Sequence, residues 1–148
     1  SAHNVIPEKV TIGGTIRSLS TENRDQIKKR LAEVAKSIAT ADRCAVEFSS
    51  IGVDYPETSN NPELWEQVHA MGLKLVGEGN FPLCEPMLGG EDFAFYGSDI
   101  PTCFVALGCH NEDKGCIFGL HHPQFKVDES VLHLGTALHV AFAKEHLG

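Results

Sequence analysis

The chain has 148 residues, 42% of them hydrophobic and 22% charged, with a formal net charge of -8. That is a globular composition, long enough for one ordinary domain or two smaller pieces. The acidic balance leaves no broad basic surface for a nucleic-acid backbone. No apolar run approaches the ~18 residues that would span a bilayer, so neither nucleic acid nor membrane is expected as a partner.

In chain order, Val10 to Leu19 reads as a strand. Val10, Ile12 and Ile16 share one parity, Thr11, Thr15 and Arg17 take the other, and Gly13-Gly14 interrupts them as a bulge or close approach. A helix follows over Thr21 to Thr40, with Ser20 or Thr21 as its cap. Ile27, Leu31, Val34, Ala35 and Ile38 form one apolar stripe. Lys28, Lys29 and Arg30 read as a solvated face of that helix. Cys44 to Val53 alternates as a second strand.

Tyr55-Pro56 and Asn60-Asn61-Pro62 break regular structure. Asn61-Pro62 is also a helix start, with Asn as N-cap and Pro in the first position. Leu64, Val68, Met71 and Leu75 give this second helix its apolar face, and it should fade at Gly77 to Gly79. Phe81 to Tyr96 reads as loop with a short helix near Glu91 to Tyr96. Thr102 to Leu107, TCFVAL, is a continuous apolar run, consistent with a strand buried on both faces. Cys109 to Lys126 is irregular and holds three histidines. A last helix is expected from about Glu129 to His146, capped by Asp128, with Leu134, Leu138, Ala141 and Phe142 as its buried stripe.

The five cysteines, Cys44, Cys84, Cys103, Cys109 and Cys116, are odd in number and irregularly spaced. They read as buried, reduced thiols of an intracellular protein, with the cytoplasm as the expected location. The start at Ser1 reads as an internal cut.

Ligand chemistry is densest at Cys109, His110, Cys116, His121 and His122. Thiolate and imidazole suit zinc, so a small structural-zinc domain is one reading, although Cys-x6-Cys and Cys-x4-His lack the tight pairs of a zinc module. A Cys109–His110 nucleophile pair is another. Pro123 biases His122 away from helical geometry. The His121-His122 pair therefore lies on an extended loop, either as ordinary surface or projecting into a cleft. Gly89 and Gly90 permit close backbone approach and offer N–H groups to an anion, and Glu91 and Asp92 follow them. The alternative there is a plain turn into a capped helix.

Four segments occur in a telling order: Asn4-Val5-Ile6-Pro7, Gly13-Gly14-Thr15-Ile16-Arg17, Gly90-Glu91-Asp92-Phe93, and Leu120-His121-His122-Pro123-Gln124-Phe125 with Asp128-Glu129. Together they resemble the M20 metallopeptidase family. The likeness is to the amidohydrolase branch that includes auxin-conjugate, hippurate and N-acyl-amino-acid hydrolases, and it covers nearly the whole chain.

The resemblance implies an α+β and α/β chain. Residues 1–56 would be the second half of an α+β satellite (dimerisation) domain, and residues 57–148 the C-terminal part of a mixed-sheet catalytic domain. It implies cleavage of the amide bond of N-acyl amino acids or amino-acid conjugates at two divalent ions, zinc or manganese. His121 would be the metal ligand of this stretch, and Asn4, Arg17, Gly89 and Gly90 the substrate-binding residues. Arg17 suits a carboxylate because a guanidinium donates two parallel hydrogen bonds. The family's other four ligands and its general-base glutamate lie upstream of these motifs, so no catalytic base is assigned here. The isolated chain is expected to be inactive and to bind metal weakly. The expected partners are a small N-acyl amino acid or peptide-like substrate, and a second copy through the satellite domain or the missing N-terminal part. The alternative is a non-catalytic dimerisation piece or proteolytic remnant.

Overall fold

The computed structural model describes residues 3–148. The chain divides into two compact units. The first runs up to Glu57 and takes in Pro86–Gly90, and the second comprises Thr58–Glu85 and Glu91–Gly148.

The first unit is organised by helix α1, Thr21–Ala41. The Ser20 side chain accepts from Asn23 N–H at 3.2 Å, satisfying one of the orphan amides of the first turn. At the other end Cys44 N–H reaches Ala39 O at 2.7 Å and Arg43 N–H reaches Thr40 O at 3.2 Å. This is a Schellman closure, with Arg43 at φ 57° where glycine is usual. Thr21, Arg24 and Lys28 lie one helical turn apart and grip the returning chain. They donate to the Glu57 carboxylate, the Tyr55 carbonyl and the Asp54 carboxylate respectively. The apolar stripe stays open: Ile27, Leu31, Val34 and Ile38 are 37–59% exposed. Among the described residues, the chain that hydrogen-bonds to α1 through Thr21, Arg24 and Lys28 lies away from this stripe.

The second unit is built on α2, Pro62–Val76, and α3, Leu132–Leu147, which pack together. Leu134, Leu138, Ala141 and Phe142 of α3 are only half-buried, where a buried stripe was expected. Asn61 caps α2 by accepting from Leu64 N–H at 3.0 Å, and Gly77 at φ 83° ends it. Val68, Met71 and Gly72 are its buried positions. A Cβ on Gly72 would lie 2.6 Å from the Phe81 ring, so this glycine admits the ring. Trp65, His69 and Phe81 stack beside it, with centroids 5.1 Å and 5.3 Å apart along the series. Asp92–Ser98 is a 3-10 helix with Ala94 buried. A 3-10 turn, Glu129–Val131, leads into α3 and is capped by Asp128.

The three runs read as strands form no ladder among the described residues; one isolated antiparallel bridge, Asn111 to Cys116, is present. Thr102 to Leu107 is still anchored at one edge. Asn61 N–H donates to Thr102 O at 2.8 Å, and the Asn60 carboxamide both donates to Phe104 O and accepts from Phe104 N–H. An amide side chain there takes the place of a neighbouring strand's peptide. Leu107 rests against Gly135 of α3. Phe104 and Leu107 nonetheless stay 41% exposed, where burial on both faces was expected. Two-sided burial needs flanking strands, and among the described residues none pairs with this run. The cysteines also depart from expectation: all five are free, but Cys44 and Cys84 are exposed and Cys116 is the buried one.

Candidate functional site

Two groups of candidate residues are organised by the structure, one in each unit. In the first, Arg17 Nη1 donates to Leu88 O at 2.6 Å. The contact joins residues 71 positions apart and ties Arg17 to the peptide that leads into Gly89-Gly90. Gly90 faces Tyr55, whose Cδ2 would stand 3.3 Å from an added Cβ. Arg17 is exposed, and one of its five donors is used by this bond. Thus Arg17, Gly89 and Gly90, named separately from sequence, share one neighbourhood. Asn4 stands exposed in a turn and makes no hydrogen bond to them among the described residues.

The second group is the excursion from Cys109 to Asp128. Its base is closed by Asp128 N–H donating to Cys109 O at 3.2 Å. Within it, Asn111 and Cys116 exchange two backbone hydrogen bonds, at 3.0 and 2.8 Å. The reversal between them uses Gly115 at φ 68°. The Asn111 side chain accepts from Lys114 N–H at 3.1 Å and donates to Asp128 Oδ2 at 2.7 Å.

Asp128 is 5% exposed and fully partnered. Its Oδ1 accepts from Lys114 Nζ at 2.6 Å, from the Ser130 hydroxyl at 2.7 Å and from Ser130 N–H at 3.0 Å. The Lys114 ammonium foremost, then Ser130 and Asn111, hold its carboxyl well below the usual carboxylate range.

From Cys116 to Asp128 the chain makes a tongue with the two histidines at its far end. His122 N–H donates to Gly119 O at 3.3 Å, and Phe125 N–H donates to His122 O at 2.9 Å. His122 Nδ1 accepts from Gln124 N–H at 3.1 Å, and its ring lies on Phe118 with centroids 4.1 Å apart and planes 4° from parallel. That imidazole is occupied: an accepting Nδ1 leaves the proton of the neutral ring on Nε2. His121 differs. It is exposed, sits at φ 68°, and makes no hydrogen bond or ion pair among the described residues. The left-handed region costs a branched or bulky L-residue about 1–2 kcal/mol, and such strain gathers at functional positions.

His110 points elsewhere, with Nε2 3.8 Å from the Glu112 carboxylate. Among the described residues no three His, Cys, Asp or Glu side chains gather to hold a metal ion. The cysteines and histidines of this segment therefore do not assemble the zinc module that their composition permits. What the segment offers a metal is one unpartnered imidazole, and no reaction step follows from these residues alone. The sequence reading missed Asn111, Lys114 and Ser130. Their one local signal is Asn111 four residues before Gly115, a turn pattern.

Among the described residues no helix is long and apolar enough to cross a membrane. The chain is 35% identical to IAA-amino acid hydrolase ILR1-like 6 of Arabidopsis thaliana over 147 residues, which is 97% of this chain and 32% of that protein. It is 34% identical to IAA-amino acid hydrolase ILR1-like 4 of the same plant, over 99% of this chain and 34% of the relative. It is 36% identical to thermostable carboxypeptidase 1 of Saccharolobus solfataricus, over 95% of this chain and 35% of the relative. The chain thus spans about a third of the length of these curated relatives. No solved structure matches it significantly. The sequence model of peptidase family M20/M25/M40 matches residues 4–145, which include every candidate site residue named above, and the chain belongs to that family.

Proposed function

We propose that this chain is part of a metal-dependent amidohydrolase that cleaves the amide bond of N-acyl amino acids or amino-acid conjugates, with His121 as one imidazole ligand to a pair of zinc or manganese ions. The carrying observation is the contrast at the end of the tongue. His122 is spent on Phe118 and Gln124, whereas His121 is unpartnered and held in a strained backbone conformation. The relatives support the class, being named as amino-acid conjugate hydrolases and carboxypeptidases. When bound, two such ions acidify a water and polarise the scissile carbonyl.

The other residues serve binding. Arg17, with most of its donors uncommitted and the Gly89-Gly90 peptides beside it, suits the carboxylate shared by all these substrates. Asn4 joins them in this proposal on the ground of the family motif alone. In the longer protein, His121→Ala tests the assignment. Loss of hydrolysis of N-acyl amino acids with the helical content intact is expected, and near-normal turnover rejects His121 as a ligand.

A second reading, association, rests on a different observation. The chain exposes 12433 Å², whereas two separate globules of these sizes would expose roughly 9,000 Å². The exposed residues include the apolar α1 stripe and Phe104 and Leu107 of the Thr102 to Leu107 run. We propose that these faces are covered by a second copy through the first unit and by the rest of the longer protein. The strands of the expected α+β and mixed sheets would then find their partners there. This reading accompanies the enzymatic one.

A further inference from the structure

The tongue that carries His121 has two feet, Cys116 and Asp128, and both are buried at 5% exposure. The eleven residues between them include no other buried position. The far end makes short contacts of its own, but with no buried residue in the tongue those contacts persist only while the feet hold its two ends in place. Cys116 is held by the backbone bridge to Asn111, and Asn111 spends its carboxamide on Asp128. Asp128 in turn takes Lys114 from the same turn and Ser130 from the start of the last helix. One carboxylate therefore connects the first foot, the second foot and the helix.

We propose that Asn111 and Asp128 form a latch that positions the His121 tongue, with Asp128 acting as a positioning residue for the metal-ligand loop. The proposal deepens the assignment of His121 and rests on it for its catalytic meaning. Its structural part stands separately. The geometry is selective: the amide of Asn111 and the ammonium of Lys114 approach different oxygens of the carboxylate, Oδ2 and Oδ1. Both oxygens are thus committed, and rotation of the carboxyl group would break one contact or the other. An isosteric amide at position 128 cannot accept at both positions, because its nitrogen only donates. Burial makes that loss matter, since water does not freely replace the missing partner.

The test uses Asp128→Asn and Asn111→Ala in the protein, read by NMR at a pH where the histidines are neutral. One readout is the pair of His122 imidazole nitrogen shifts, which report an accepting Nδ1 and a protonated Nε2. The other is the strong intraresidue amide-to-Hα cross-peak of a positive φ at His121. Loss of either signature in both variants, with helical circular dichroism retained, supports the latch. Retention of both signatures in either folded variant overturns it. Should Asp128→Asn fail to fold, Asn111→Ala carries the test alone, because it leaves the buried carboxylate with Lys114 and Ser130.

In the longer protein the same variants are expected to weaken divalent-metal binding at least tenfold while His121 is intact. Unchanged metal affinity despite a loosened tongue denies the latch its positioning role. The two failures are separable. If His121→Ala turns over normally, the ligand assignment falls while the NMR result is untouched. If the NMR signatures survive the latch variants, the latch falls while the His121→Ala result is untouched.

Discussion

His122 lies flat on Phe118, with ring centroids 4.1 Å apart and planes 4° from parallel. This contact, with the Gln124 amide on Nδ1, separates the roles of two adjacent histidines that are chemically identical. It leaves His121 as the imidazole at the end of the tongue without a partner, at φ 68°.

The strained backbone makes a prediction about stability that runs opposite to function. A left-handed residue with a Cβ carries a cost that glycine does not. His121→Gly should therefore be more stable than His121→Ala by about 1 kcal/mol. Both should abolish hydrolysis in the longer protein. Equal denaturation midpoints for the two variants would remove backbone strain from the argument.

The acid stability of the second unit should depend on Asp128. Its carboxyl is depressed in the folded state by Lys114, Ser130 and Asn111. A depressed carboxyl contributes stability that is fully present above its unfolded pKa of about 3.9. The contribution is lost as pH falls through the folded value. The gap in melting temperature between the native chain and Asp128→Asn should thus be several degrees above about pH 5 and should shrink on acidification. A gap that stays constant from pH 6 to pH 3 contradicts this linkage.

Gly72 should show a sign reversal. Alanine is worth up to about 1 kcal/mol over glycine inside a helix. Here its Cβ would meet Phe81 at 2.6 Å, and the ring is held against His69 and Trp65. Overpacking of this kind costs about 1–3 kcal/mol, so Gly72→Ala should be net destabilising. In a Phe81→Ala background the same change should stabilise by up to about 1 kcal/mol. Trp65, the single tryptophan, reports both unfolding curves by its fluorescence. Additive effects in the double variant would refute the steric account.

Arg17 should affect substrate binding more than turnover. Its bond to Leu88 O orders the peptide ahead of Gly89-Gly90, and hydrogen bonds to charged groups are worth about 1.5–3 kcal/mol. In the longer protein Arg17→Ala should raise KM for carboxylate-bearing substrates roughly 10–100-fold, with a smaller change in kcat. In the chain itself it should expose Pro86–Gly90 to faster proteolysis. A selective fall in kcat would point to a different role.

The chain alone should bind zinc or manganese weakly and should not hydrolyse N-acyl amino acids, because no three ligating side chains converge among the described residues. Stoichiometric, tight zinc in purified material would restore the structural-zinc reading of Cys109, His110 and Cys116.

The parts of this protein legible in its sequence are those set within a few residues of chain. Ser20, Asn61 and Asp128 each accept from an amide two or three positions on, so the three helix starts follow from local chemistry. Gly77 ends α2 for an equally local reason. The family, too, was legible, because ordered motifs survive in sequence whatever their spatial arrangement. The tertiary structure decided the rest. Periodicity marked an apolar stripe on α1 but could not say whether anything covers it, since burial depends on partners far away in the chain. Arg17 meets Leu88 across 71 residues, and Lys114 and Asn111 meet Asp128 across 14 and 17. Such contacts leave no periodic trace. The two histidines illustrate the division most plainly. The motif order in the sequence singled out His121 as the candidate ligand, and the folded tongue supplied the physical difference, by stacking the His122 ring on Phe118 and straining the His121 backbone.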